Sequence, residues 1–159
     1  MQKRRGISPV IATVIIVAVT IAVAIAVAFW MTGIVGLFTA AEKLEIVSAY
    51  AQAQDGGWQI TAVIRNTGTT QTTIDSMFIN GILAASYVNN NWQQSGSTPC
   101  VGAPNFNPGN TLKPGESATV TFELNAGDCG TFNAQPGVSI EVKFHTTGGK
   151  EYPKLLVLP

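Results

Sequence analysis

The feature that most constrains this chain of 159 residues is its uncharged N-terminal stretch. Residues 6–41 carry no charge, and from residue 10 to residue 31 nearly every side chain is that of Val, Ile, Ala, Phe or Trp. Residues 21–28 alternate with the period of a strand, but so long a strand is rare, and in lipid its backbone groups would have no partners. The stretch therefore predicts a membrane-capable α-helix.

The start and the length of this helix follow from the same stretch. Ser8 offers a capping hydroxyl, and Pro9 suits the first helical position, so the helix is predicted to begin at about Pro9. The apolar run is longer than the roughly 7–15 residues of a secretory signal peptide. The 36 uncharged residues would form roughly 54 Å of helix, against about 30 Å of hydrocarbon in a bilayer. The excess predicts that part of the helix is buried against protein.

Small residues are spread around this predicted helix. Small side chains let neighbouring helices approach closely, and here they allow approach from several directions. The predicted helix-packing positions are Ala12, Ala18, Ala22, Ala24, Ala26, Ala28, Gly33 and Gly36. A plain lipid anchor, in which these residues have no packing role, is an equal alternative on composition alone.

The charges are few and unevenly placed. The chain has 9 basic and 9 acidic residues, which make up 11% of the total, less than half of the roughly 25% usual in soluble domains. Lys3, Arg4 and Arg5 open the chain, and after them six bases remain against nine acids. Because phosphate contacts need clustered Lys and Arg, nucleic acid is excluded as a partner class.

The N-terminal string MQKRRGISPVIATVIIVAV closely resembles the class III signal peptide of archaeal type IV pilins. The resemblance implies that Lys3, Arg4, Arg5 and Gly6 are recognised by a class III signal peptidase, which cuts between Gly6 and Ile7. It further implies a mature chain from Ile7 that lies in the cytoplasmic membrane before the pilus assembly machinery adds it to a helical homopolymer outside the cell. Residues 8–12 resemble adhesion-type pilins more than motility-filament subunits.

The remainder of the chain reads as a β-rich head. Short alternating runs predict strands at about 44–54, 58–66, 72–79, 82–88, 117–124, 138–145 and 151–158. Hairpin turns are predicted at residues 55–57, 80–81 and 148–149, and a type II turn at Pro114-Gly115. The predicted fold class is α+β, with a long N-terminal hydrophobic α-helix followed by an all-β immunoglobulin-like sandwich. The predicted divisions are a leader at 1–6, a helix at 7–41 and a head at 42–159.

Residues 89–113 are too long a stretch, and too rich in Asn, Gly and Pro, to form a simple turn. A connection of this length needs a constraint. The two cysteines, Cys100 and Cys129, are the candidates for a disulfide, and a head outside the membrane makes their oxidation plausible. Two free buried thiols are the alternative.

Few residues suit catalysis or metal binding. Acid–base and nucleophilic catalysis need reactive groups brought together, and no P-loop, dinucleotide or nucleophile-elbow motif occurs. The single histidine, His145, falls on the polar phase of its strand and is expected to be exposed and without a partner. With two cysteines and one histidine, no metal site is expected. We therefore expect no catalytic residue, no cofactor and no enzymatic activity.

Two tryptophans differ in their predicted surroundings. Trp58 is in phase with Ile60, Ala62 and Ile64, and is expected in the core. Trp92, among Asn and Gln residues, is expected at the surface, where it is a candidate for contact with a partner.

Taken with the resemblance, these features imply a structural subunit of an extracellular archaeal type IV pilus that polymerises through its N-terminal helix and serves surface adhesion. The alternative is a binding module held by one uncleaved membrane span, which does not polymerise.

Overall fold

The protein consists of one long helix and a β-rich head. The computed structural model describes residues 9–159, and for residues 36–39 it describes the backbone alone. Helix α1 spans Pro9–Thr39, and twelve strands follow it. The chain divides after Ala40 into two compact units. The predicted fold class, a long apolar helix followed by a β-sandwich, is confirmed.

The strands account for most of the head. In chain order they are β1 Leu44–Gln54, β2 Gly57–Asn66, β3 Thr72–Ile79, β4 Ile82–Val88, β5 Asn91–Gln94, β6 Asn105–Asn107, β7 Thr111–Leu112, β8 Ser117–Asn125, β9 Gly127–Asp128, β10 Asn133–Ala134, β11 Ser139–Thr146 and β12 Glu151–Val157. All seven predicted strands are present, each within about two residues of the predicted bounds.

Three threonine hydroxyls of α1 are hydrogen-bonded within the helix. The hydroxyls of Thr13, Thr20 and Thr32 each donate to a backbone carbonyl three or four residues earlier, at 2.7–2.9 Å. A hydroxyl bonded in this way needs no partner from its surroundings. These three hydroxyls can therefore lie in an apolar environment without being left unsatisfied. Ser8, the predicted cap, lies outside the described residues.

The head is built from two antiparallel sheets and a short ribbon. The first sheet has the order β1-β2-β8-β6, and the second has the order β12-β11-β3-β4-β5, with β7 pairing with β3. The ribbon joins β9 and β10. Edge strands β1 and β12 lie beside each other, one from each sheet.

The core lies between the two sheets and follows the predicted alternation. On β8, Val120, Phe122 and Leu124 are buried, while Thr119 and Thr121 point outward. Trp58 is 4% exposed, as expected for a core residue, and its Nε1 donates to the carbonyl of Pro159 at 3.0 Å. Full burial of each large apolar side chain stabilises the fold by about 1.5–3 kcal/mol.

Tight turns connect the strands where the sequence predicts them. Asn80 and Gly81 both have positive φ, at 49° and 81°, as a type I′ hairpin turn requires. The amide of Glu116 donates to the carbonyl of Lys113 at 3.0 Å, and Gly115 has a φ of 83°. This geometry is that of a type II turn.

Residues 89–113 are more regular than predicted, because they contain β5, β6 and β7. Asn89 and Asn90 have φ values of 51° and 64° and form a tight turn that pairs Tyr87 with Trp92. Asn tolerates this left-handed region better than most residues. The Asn-Asn pair could therefore have predicted a hairpin turn here. The strands β5, β6 and β7 could not be predicted, because two to four residues are too few to show an alternation.

The predicted bond between Cys100 and Cys129 is present, and it ties this stretch to the core. Both residues are buried, and their Cα atoms are 5.1 Å apart. The backbone reinforces the link, since the amide of Asn125 donates to the carbonyl of Cys100 at 2.8 Å. The bond supplies the constraint that the long connection needs.

The head begins with a short segment held by backbone hydrogen bonds. The amides of Thr67 and Gly68 donate to the carbonyl of Lys43 at 2.9 and 3.0 Å, and the amide of Thr69 donates to that of Ala41 at 2.8 Å. A Cβ on Gly68 would collide with the carbonyl oxygen of Ala41. Glycine is therefore required at residue 68, and the segment 41–43 belongs to the head.

Replacing both cysteines by alanine should lower the free energy of unfolding by roughly 3–4 kcal/mol, because the unfolded chain regains the freedom of a 29-residue loop. Urea unfolding of the full chain in detergent, followed by near-ultraviolet circular dichroism, measures the change. A reductant should destabilise the wild type to the same extent and leave the double variant unaffected. A loss below about 1 kcal/mol would contradict the structural role of the bond.

Candidate assembly surface

The outer surface of α1 is apolar around its whole circumference. The helix has no acidic residue in its first turn and no basic residue in its last turn. Among the described residues, it is the one helix long and apolar enough to cross a membrane, over Pro9–Val35. Its 31 residues extend for roughly 46 Å, well beyond about 30 Å of hydrocarbon.

Large side chains on α1 are exposed in the isolated chain. Val10 is 69% exposed, Phe29 76% and Trp30 69%. Each square ångström of such surface costs about 25 cal/mol when it faces water. A helix that is hydrophobic on all sides is stable only where lipid or protein surrounds it. The surface of α1 is therefore the main candidate site for assembly.

The small residues of α1 form two rows. Ala18, Ala22 and Ala26 follow one another at four-residue spacing, and Ala24 and Ala28 form a second row with the same spacing. At 3.6 residues per turn the two rows lie about 140° apart. All five are exposed, so two sides of the helix offer close approach to other helices.

The remaining predicted packing positions differ in what the structure describes. Ala12 is half-buried. Gly33 lies within the helix, and an added Cβ there would meet nothing within 4 Å. Glycine in a helix interior costs about 0.5–1 kcal/mol relative to alanine, and no contact of its own chain explains it. Gly36 lies within the helix, in the stretch 36–39 of which the structure describes the backbone alone.

The predicted processing site is not part of the described structure. Lys3, Arg4, Arg5, Gly6 and Ile7 all precede Pro9, the first described residue.

The head carries its own exposed apolar surface on the neighbouring edge strands β1 and β12. Val47 and Tyr50 lie on β1, and Leu155 and Val157 lie on β12. We call these four residues the edge strip. Leu155 is 66% exposed, and Val47 and Val157 are each 57% exposed. Since β1 and β12 are the ends of the two sheets, the strip lies where the sandwich is open to lateral contact.

Trp92 is less exposed than predicted. It is half-buried, and its ring stacks on Phe106 with centroids 4.8 Å apart and planes inclined by 12°. Phe106 in turn meets Phe144 of the other sheet edge-to-face at 6.3 Å. The prediction of a surface position was based on the polar neighbours of Trp92. In a strand of only four residues, those neighbours are exposed while Trp92 faces the core. Its main contact is inside the head.

The prediction that His145 is without a partner is wrong. Its Nδ1 lies 2.7 Å from Oδ1 of Asp75, and each side chain is about one-third exposed. The partner comes from β3, whose alignment with β11 places Asp75 beside the histidine. Sequence alone did not show this register.

Among the described residues, no third metal-ligating side chain joins Asp75 and His145. Beyond this pair, Lys143 lies over the ring of Phe78 and pairs with Glu151 at 2.8 Å. Within residues 9–159, no three His, Cys, Asp or Glu side chains come together as metal ligands.

Comparison with known proteins gives no family assignment. No protein-family model matches the sequence, and no curated protein matches it. The chain has a TM-score of 0.44 and 19% identity with the archaellum periplasmic stator protein FlaG from Sulfolobus acidocaldarius, covering 72% of this chain and 99% of that one.

Two further solved structures are similar at the same level. For the FlaF and FlaG stator complex of that organism the TM-score is 0.44 at 20% identity, covering 70% of this chain and 86% of the other. For the archaeal flagellum of Methanospirillum hungatei it is 0.46 at 17% identity, covering 94% and 88%.

Replacing Trp92 by alanine should destabilise the head by about 2 kcal/mol, because the stack on Phe106 is lost. Replacing the exposed Tyr50 by alanine should cost less than about 0.5 kcal/mol. Urea unfolding followed by far-ultraviolet circular dichroism compares the two variants. Equal effects would mean that Trp92 is not part of the packed head.

Proposed function

We propose that this protein is a structural subunit of an extracellular archaeal type IV pilus, built by polymerisation through α1, and that the filament serves surface adhesion. The observation that carries the proposal is the helix itself. It is apolar on every side, longer than the hydrocarbon core of a bilayer, and preceded by a basic cluster that is followed by Gly6. A subunit that must leave the membrane and join its copies needs these three properties together.

The energetics favour transfer of the helix from lipid into a bundle. Lipid tails are as apolar as the side chains of α1, so association depends on close van der Waals packing. The two alanine rows allow such packing with neighbours on two sides. A bundle of copies also covers the end of the helix that extends beyond the hydrocarbon, which a single anchor in the bilayer leaves exposed to water.

The head is suited to the outside of such a filament. Its disulfide fits an oxidising compartment outside the cytoplasm. The edge strip gives neighbouring heads an apolar surface for lateral contact, in addition to the helix bundle. The role is structural rather than enzymatic.

The membrane-anchored module remains the competing account, and it differs in two measurable ways. It requires that the chain keep Gly6 and that it occur without polymer in the membrane. The proposed subunit instead begins at Ile7 and is recovered in filaments.

Gly6→Val should block cleavage, because a branched side chain occupies the position next to the bond that is cut. The precursor should then accumulate in the membrane, and no filaments should form. Immunoblotting with intact-mass measurement distinguishes the precursor from the mature chain.

The matched control is Gly33→Val, the same substitution beyond the cleavage site, where an added Cβ meets no atom of the chain. This variant should be cut normally. Normal cleavage and normal filaments in the Gly6→Val variant would contradict the proposed cleavage site.

Ala24→Leu should weaken the filament without preventing membrane insertion. A larger side chain in an alanine row separates the packed helices, and overpacking of this kind costs about 1–3 kcal/mol, whereas leucine is fully compatible with lipid. The thermal dissociation temperature of sheared filaments should fall. The control is Val23→Leu, an exchange between branched apolar side chains, which should change it far less.

Equal dissociation temperatures for the Ala24→Leu variant and the wild type would contradict close helix packing at this row.

A further inference from the structure

The outward face of the first sheet carries a polar groove of about 260 Å³. Its polar side chains are those of Gln59, Asn105, Thr121 and Glu123, and the backbone of Gly102 and Ala103 forms one wall. We call this the lateral groove. It involves neither α1 nor the edge strip, and the proposed assembly leaves it without a role.

Strand register places the four polar side chains together. Gln59 of β2 is paired with Glu123 of β8, and Thr121 of β8 is paired with Asn105 of β6. Their neighbours along the strands, such as Phe122, are buried in the core. Because side chains alternate between the faces of a strand, the four polar groups share the outward face.

The wall of the groove arises where residues 101–105, which lie alongside β8, interrupt their pairing with it. The amide of Gly102 donates to the carbonyl of Glu123 at 2.8 Å, and the next paired residue is Asn105, opposite Thr121. Ala103 and Pro104 span the gap between these two points without pairing to β8. Two residues thus oppose one, as in a β-bulge, with Pro104 buried and the exposed Ala103 lining the groove.

The polar groups of the groove are unused by the head. Within the described chain, the side chains of Gln59, Asn105, Thr121 and Glu123 make no hydrogen bond to another protein group. Two amides, one hydroxyl and one carboxylate together offer several donors and several acceptors. They are free to exchange their bonds with water for bonds with a ligand.

The lining restricts the chemistry of that ligand. No Lys, Arg or His lines the groove, and Glu123 gives it a negative charge, so an anion is disfavoured. A single carboxylate is a poor site for a calcium ion, which prefers six to eight oxygen ligands with several charges. A hydroxyl both donates and accepts, and therefore pairs with amides and a carboxylate at once. The volume lies below the roughly 300–1,000 Å³ of pockets for drug-sized molecules, which suits one sugar ring.

We propose that the lateral groove binds a single neutral sugar unit of a surface glycan. Gln59 and Asn105 bond its hydroxyls through their amides, Glu123 accepts from a hydroxyl, and Thr121 completes the set. The proposal names the ligand class for the adhesive role and in that respect rests on the proposed function.

The test uses the full chain, labelled with ¹⁵N and held in a phosphocholine detergent, since maltoside and glucoside detergents carry competing sugars. Glucose, galactose, mannose and N-acetylglucosamine are titrated separately. At least one should cause saturable shifts of the side-chain amide signals of Gln59 and Asn105, with a Kd in the millimolar range. The absence of saturable shifts with all four sugars overturns the proposal.

Paired variants locate the binding. Thr121→Val removes a hydroxyl from the groove and should weaken binding about fivefold, the equivalent of one hydrogen bond. Thr119→Val makes the same change two residues along the same strand face, outside the groove, and should leave the Kd unchanged. Equal weakening by both variants overturns the assignment to the groove.

Failure of this proposal is separable from failure of the proposed function. Filaments built from a chain that binds no sugar overturn the sugar site alone. Sugar binding by a chain that never polymerises overturns the pilus subunit and leaves the site. Loss of filaments in Thr121→Val, without any sugar binding in the wild type, would mean that the groove holds a neighbouring head instead.

Discussion

The constraint on which the rest of the molecule depends is that α1 has no face suited to water. A helix of 31 residues that is apolar on all sides, and whose Thr13, Thr20 and Thr32 hydroxyls bond its own carbonyls, is stable only where lipid or apolar protein surrounds it. A bilayer covers only part of its length. The two alanine rows and Gly33 lie on the apolar surface of α1, where they allow a closer approach of other helices than lipid requires.

The head has a hydrophobic core of its own, which is formed entirely by residues 44–158. Its sheets bury a continuous core, and the segment 41–43 is tied to the turn at 67–69 by backbone hydrogen bonds. Asn66 supports that turn from inside: its Nδ2 donates to the carbonyls of Thr70 and Leu112, and its Oδ1 accepts from the amide of Gly68. The head is thus complete from Ala41 onward.

Much of the fold was readable from the sequence, because long strands show their alternation directly. Buried and outward-facing residues alternate without exception along the Ser117–Asn125 strand, and the dipeptide Asn80-Gly81 is typical of a type I′ hairpin turn. The short strands and the contacts between strands could not be predicted from the sequence. Asp75 reaches His145, and Phe106 receives Trp92, through strand pairings that no local pattern encodes. The lateral groove was missed for the same reason, since its four polar residues are brought together only by register.

Electron microscopy of material sheared from intact cells, with the intact mass of its main protein taken from the same sample, tests the central claim most directly. The account predicts thin filaments whose subunit begins at Ile7. A chain that retains residues 1–6 and is recovered only from detergent-solubilised membranes, with no filament present, would contradict it.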